Sequence, residues 1–137
     1  MKLRIDGIAT KECVRIWDGG LDANGQPALV RIAEGPANPC RHCLRLIPTG
    51  HQKLVLAYRP FAAVQPYAET GPIFLHAEPC ERYEAEVVPP WFDFLDPAIV
   101  RGSEITNACR MILGDGDVAY VHVRSKFNCF QCRVDRG

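Results

Sequence analysis

Apolar residues alternate with polar ones, or form short runs between turn residues, over residues 3–8, 13–17, 28–32, 54–58, 73–77, 118–123 and 129–134. This period of two predicts strands. The separators carry turn chemistry: Asp18-Gly19-Gly20, Asn24-Gly25, Pro48-Thr49-Gly50, Glu69-Thr70-Gly71-Pro72 and Asp115-Gly116. Two segments instead predict short helices. Over residues 103–113, Ile105, Ala108, Cys109, Ile112 and Leu113 recur at helical spacing, with Ser103 placed to cap the start and Gly114 the end. Over residues 38–47, Asn38 suits an N-cap and Pro39 a first helical position, with Pro48 as the stop. The stretch VVPPWFDFLDP, residues 87–97, holds three prolines and three aromatics and reads as an irregular, partly buried loop. The fold class expected is α+β, an antiparallel or mixed sheet packed by two short helices, in a single domain over residues 1–137.

The last two strands carry the most pattern. A four-residue connection over residues 125–128 pairs Arg124 with Cys129, His122 with Gln131 and Tyr120 with Arg133. One face then presents Tyr120, His122, Arg124, Cys129, Gln131 and Arg133, and the other Ala119, Val121, Val123, Phe130, Cys132 and Val134. The bland account is a solvated sheet face. The sharper one is a site for an anionic small molecule, with Arg124 and Arg133 as guanidinium forks for a carboxylate or phosphate and Tyr120 and Gln131 as further polar contacts. His122, and His76 on the strand over residues 73–77, are then the acid/base candidates, with Cys40 as a candidate nucleophile.

The seven cysteines offer two other chemistries. Cys40/Cys43 and Cys129/Cys132 have the ligand count of a structural zinc site, although a regular strand sends the last two thiols to opposite faces. His42, His76 and Cys80 stand as substitute ligands. If Cys40 instead opens a helix, its CxxC has the layout of a thiol oxidoreductase, the helix start lowering the thiol pKa. Cys13, Cys109 and Cys132 are best explained as small buried residues.

Composition narrows the field without choosing within it. Sixteen basic and sixteen acidic side chains cancel, so the net charge gives no field to draw nucleic acid or an anionic membrane, and neither is expected as a partner. Residues 1–10 interleave charges with apolar side chains, unlike a signal peptide, and no apolar run approaches the ~18 residues of a membrane span. A cytoplasmic protein with reduced thiols is expected. No P-loop, GxGxxG, GxSxG or HExxH occurs.

Three blocks, NPCRHCL (residues 38–44), YAETGPIFLHAEPC (67–80) and VAYVHVRSKFNCFQCRVDR (118–136), together resemble a bacterial family known as domain of unknown function 1203. The resemblance implies shared features in these blocks and no activity. They hold Cys40, His76, His122, Arg124 and Arg133. Against that family's pattern, the segment near residues 97–103 is short.

Overall fold

The computed structural model describes residues 1–94, 104–125 and 129–137. It is an α+β fold with two antiparallel sheets, and the chain divides into two compact units, Met1–Gly7 with Tyr83–Gly137, and Ile8–Arg82. Among the described residues, no helix is long and apolar enough to cross a membrane.

The first unit is built on a four-stranded sheet with the order β5-β1-β7-β6. Its strands are β1 (Leu3–Asp6), β5 (Glu84–Ala85), β6 (Val121–Arg124) and β7 (Phe130–Arg136). Strand β7 is central because it pairs with β1 from Leu3↔Arg136 to Asp6↔Arg133 and with β6 on its other side. Alternation buries Leu3, Ile5, Cys132 and Val134, and α2 (Ile105–Leu113) adds Ile105, Cys109 and Leu113. Burial in this apolar stripe pushes the Cys109 thiol up to about 11, so it stays neutral and inert. The last carbonyl of α2 and two carbonyls of the turn after it are satisfied by one side chain. The Arg136 guanidinium donates to the carbonyls of Leu113 (2.9 Å), Asp115 (2.9 Å) and Val118 (2.7 Å). Ser103, the expected cap, lies outside the described residues, as do the segment over 97–103 and most of the connection between β6 and β7. Within the proline-rich stretch, a 3-10 turn (Pro90–Phe94) buries Phe92 completely.

The hairpin register differs from the expected one. Val121 faces Val134, His122 faces Arg133 and Val123 faces Cys132, two residues further along β7 than the four-residue connection implies. Because the slip is even, His122 and Arg133 still share a face. The register then shifts, so that Arg124 faces Phe130 and Gln131 is the extra residue of a β-bulge. The bulge brings Phe130 to the His122 side, with ring centroids 5.3 Å apart, and leaves Gln131 buried. The connection thus carries both corrections: an altered turn length and a bulge, neither visible in an alternation count.

The second unit holds a three-stranded sheet, β2-β3-β4, with β2 (Leu29–Ile32), β3 (Gln52–Tyr58) and β4 (Gly71–His76), and the helix α1 (Thr10–Trp17). Leu54, Leu56, Ile73 and Leu75 are buried from the sheet, and Cys13 and Ile16 from α1. Residues 13–17, expected as a strand, are therefore helical. Cys13, Ile16 and Trp17 stand at i, i+3 and i+4, and an Arg15–Glu12 pair at 3.1 Å links adjacent turns on the outer face.

The converse correction falls on residues 38–47, which do not form a helix. The Asn38 side chain does not cap; its amide donates to the carbonyls of Glu34 and Gly35, both at 3.0 Å, and its own oxygen accepts from Lys53 Nζ at 2.6 Å. The backbone folds back instead. Cys40 N–H donates to Arg45 O, Leu44 N–H to Cys40 O and Ile47 N–H to Asn38 O, while Arg41 N–H reaches Phe74 O on β4. Leu44 takes the left-handed conformation (φ 56°) that closes so tight a turn. Local capping signals lose here to a turn pinned against the sheet.

Candidate metal centre

The turn over residues 40–44 and the end of β4 bring four sulfur and nitrogen ligands together. Cys40 and Cys43 come from the turn, His76 is the last residue of β4, and Cys80 follows four residues later. One ligand atom from each lies within 4.8 Å of all the others. Cys40 Sγ is 3.8 Å from Cys80 Sγ, and Cys43 Sγ is 3.5 Å from His76 Nδ1. A tetrahedral ion with Zn–S near 2.3 Å and Zn–N near 2.0–2.1 Å requires ligand separations of about 3.8 Å between sulfurs and about 3.5 Å between sulfur and nitrogen. Those two edges already have the required length.

The surroundings favour one thiolate. Cys40 is fully buried and Cys43 nearly so, while His76 and Cys80 are half-buried. The thiols of Cys43 and Cys80 and the backbone N–H groups of Cys43 and His76 point at Cys40 Sγ, which holds its pKa far below the ordinary thiol value. The His76 N–H lies 3.4 Å from that sulfur. Beside the negative Cys40, the pKa values of Cys80 and Cys43 are raised. Three thiols in one cage cannot all ionise unless a cation joins them.

Next to the cage stands a second imidazole. His42 is fully buried, its Nδ1 3.2 Å from Cys80 Sγ and its Nε2 2.9 Å from Thr10 Oγ1. Burial lowers its pKa and favours the neutral ring. Trp17 meets the His42 ring edge-on at 5.4 Å and donates its indole N–H to the His76 carbonyl at 2.8 Å. Cys13, elsewhere in this unit, is pushed up to about 12 by burial and stays a neutral apolar group.

Cys40, Cys43, His76 and Cys80 were all legible as ligand types, but the second pair is not Cys129 and Cys132. Those two belong to the other unit and take no part in the cluster. Cys132 is fully buried on β7 opposite Val123, and Cys129 is half-buried just before that strand. The thioredoxin-like layout also lacks its premise, since no helix starts at Cys40 and its thiol is enclosed. The spacing that does carry the second pair is His76-x3-Cys80, a strand end followed by a short loop.

The arginine and histidine face of the first unit holds an acid of its own. Arg133 is ion-paired with Asp135 at 2.9 Å, and its guanidinium lies over the Tyr120 ring at 4.0 Å. Arg4 reaches the same carboxylate at 3.6 Å. His122 packs against Tyr120, with centroids 4.9 Å apart, and its pKa is lowered by burial and by Arg133. Arg124 is half-buried, which lowers its pKa too. The acid missing from the alternation set is Asp135, two residues beyond Arg133 on the same strand face.

Fold and cluster together define a small α+β protein with a Cys3His set able to hold a metal ion. The family model described as "Protein of unknown function (DUF1203)" matches residues 37–95, and the match supports membership of this chain in that family. All four cluster residues fall inside the matched stretch. No curated protein and no solved structure matches the chain.

Proposed function

We propose that this protein binds one zinc ion structurally, with Cys40, Cys43 and Cys80 as thiolates and His76 as the fourth ligand. The observation that carries the reading is the convergence of four ligand atoms within 4.8 Å of one another, two of their separations matching tetrahedral edges. Three thiolates and one imidazole form a soft N/S set that suits zinc and disfavours calcium or magnesium. Four protein ligands leave no open position for a substrate or activated water, so the role is structural and not catalytic. The ion would tie the turn over residues 40–44 to the end of β4 and to the following loop. The turn is already bonded to β4 through Arg41 N–H and Phe74 O, so the ion would add most to the loop carrying Cys80, which belongs to no helix or strand.

Metal analysis and thiol titration on protein purified without added metal or chelator test this reading. About one zinc per chain is expected, with three thiols becoming reactive only when a strong chelator removes the ion. Metal-free protein that takes up neither Zn2+ nor Co2+ when reduced and titrated would sink it.

A further inference from the structure

Resting on that reading, we propose that helix α1 is the outer support of the metal centre, and that His42 is a positioning residue for the Cys80 thiolate, oriented in turn by Thr10. Once Cys80 ligates a cation its sulfur can only accept hydrogen bonds, so His42 Nδ1, 3.2 Å away, carries the hydrogen and donates it. The neutral ring then has a lone pair at Nε2, which takes the hydroxyl hydrogen of Thr10 at 2.9 Å. The thiolate thereby fixes the tautomer, and the bond to Thr10 fixes the ring orientation.

Geometry along α1 supports the same conclusion at its other end. Thr10 is the first residue of the helix and Trp17 the last, seven residues or about two turns apart, and so on one face. Thr10 reaches Cys80 through His42, while the Trp17 indole N–H holds the carbonyl of His76, itself a ligand, at 2.8 Å. The indole edge also packs on the His42 ring. Two of the four ligands are therefore held by one helix. The start of α1 has no side-chain cap, since Ala9 at the N-cap has none to offer, and the Thr10 hydroxyl bonds His42.

Outer hydrogen bonds of this kind commonly change metal affinity by about 10–100-fold. Competitive titration of Co2+ against a chromophoric chelator, with the absorption spectrum recorded at saturation, tests the proposal on the full chain. His42→Ala should weaken binding by about tenfold or more. It should also move the sulfur-to-cobalt charge-transfer band to lower energy, because a thiolate relieved of a hydrogen bond gives up its electron more readily. His42→Asn, whose amide can stand where Nδ1 stands, should restore most of the band position. Thr10→Val should give a smaller shift in the same direction. Trp17 fluorescence should change on metal binding in the wild type and follow the same titration curve.

A His42→Ala protein that binds Co2+ with wild-type affinity and an unmoved band overturns the proposal while leaving the zinc site standing. Weaker binding with an unmoved band also overturns it, because that is what lost packing alone produces. Wild-type protein that binds no Co2+ overturns both this proposal and the zinc reading.

Discussion

The thiol cage of the second unit and the arginine and histidine face of the first are both dense polar clusters, yet they are built in opposite ways. On the face, Arg133 holds Asp135 and lies on Tyr120, and Arg4 holds the same carboxylate. The cage gathers three thiols and an imidazole, with backbone N–H groups aimed at one sulfur. A cluster that balances its own charge stabilises a fold; three thiols in one cage ionise together only when a cation joins them. The difference makes the cage, and not the face, the cluster with the make-up of a metal site.

The largest test of that contrast is Cys40→Ser. It removes the most buried ligand, so zinc content should fall from about one per chain to near zero. The melting temperature should drop by about 10 °C or more, since the metal's binding energy is also folding energy. Metal analysis and calorimetry on the same samples check both. Retention of zinc in this variant would mean that the ion sits elsewhere.

Cys132→Ser and Cys129→Ser probe the ligand pair that spacing alone proposes. Cys132 is fully enclosed on β7, and a hydroxyl there should cost about 1–3 kcal/mol in stability. Zinc content should nonetheless stay at one per chain in both variants, and Cys129→Ser should do little to stability. Loss of metal in either one would break the separation of the two clusters.

Arg133→Ala makes a smaller change. The guanidinium is about half exposed, so its ion pair with Asp135 and its stacking on Tyr120 should together be worth about 1 kcal/mol. Denaturant unfolding should show that loss with zinc content unchanged. A titration with inorganic phosphate should show no saturable binding in the wild type. Phosphate binding that disappears with Arg133 would instead restore the face as a ligand site.

How far each cluster was readable from sequence follows from the range of the interactions that make it. Period-two alternation marked six strands, and helical spacing marked α2; except at β2, whose four residues are all exposed, those signals come from one buried face. Helix α1 was hidden by its shortness: in eight residues, Cys13, Ile16 and Trp17 satisfy a helix but also read as a short apolar run. Residues 38–47 carried good helix-start chemistry, yet the bonds of Cys40, Leu44 and Ile47 within the turn, and of Arg41 to β4, decided the conformation. The CxxC pair was plain, and His76 and Cys80 were visible as ligand types. What joined them was β4 ending beside the turn, a contact across more than thirty residues. Asp135, by contrast, was legible all along, since a strand sets every second residue on one face.

The smallest effect expected concerns His122 and pH. Its pKa is lowered in the folded chain, first by burial and then by Arg133, so the folded state resists a proton that the unfolded chain accepts. A depressed histidine contributes stability that is fully present above the ordinary value near 6.5 and is lost as pH falls through the range below it. Acidification from pH 7.5 to 5.5 should therefore cost the wild type more stability than a His122→Asn variant. The difference between the two proteins is the quantity to measure, because zinc release and the other three histidines act on both alike. Unfolding by urea at the two pH values, with zinc content monitored, gives that difference. Identical losses in the two proteins would mean that the proton reaches His122 as easily in the folded chain as in the unfolded one. The Tyr120, His122 and Phe130 stack would then be open to water, and the contrast between a closed, balanced face and an ion-demanding cage would lose its first half.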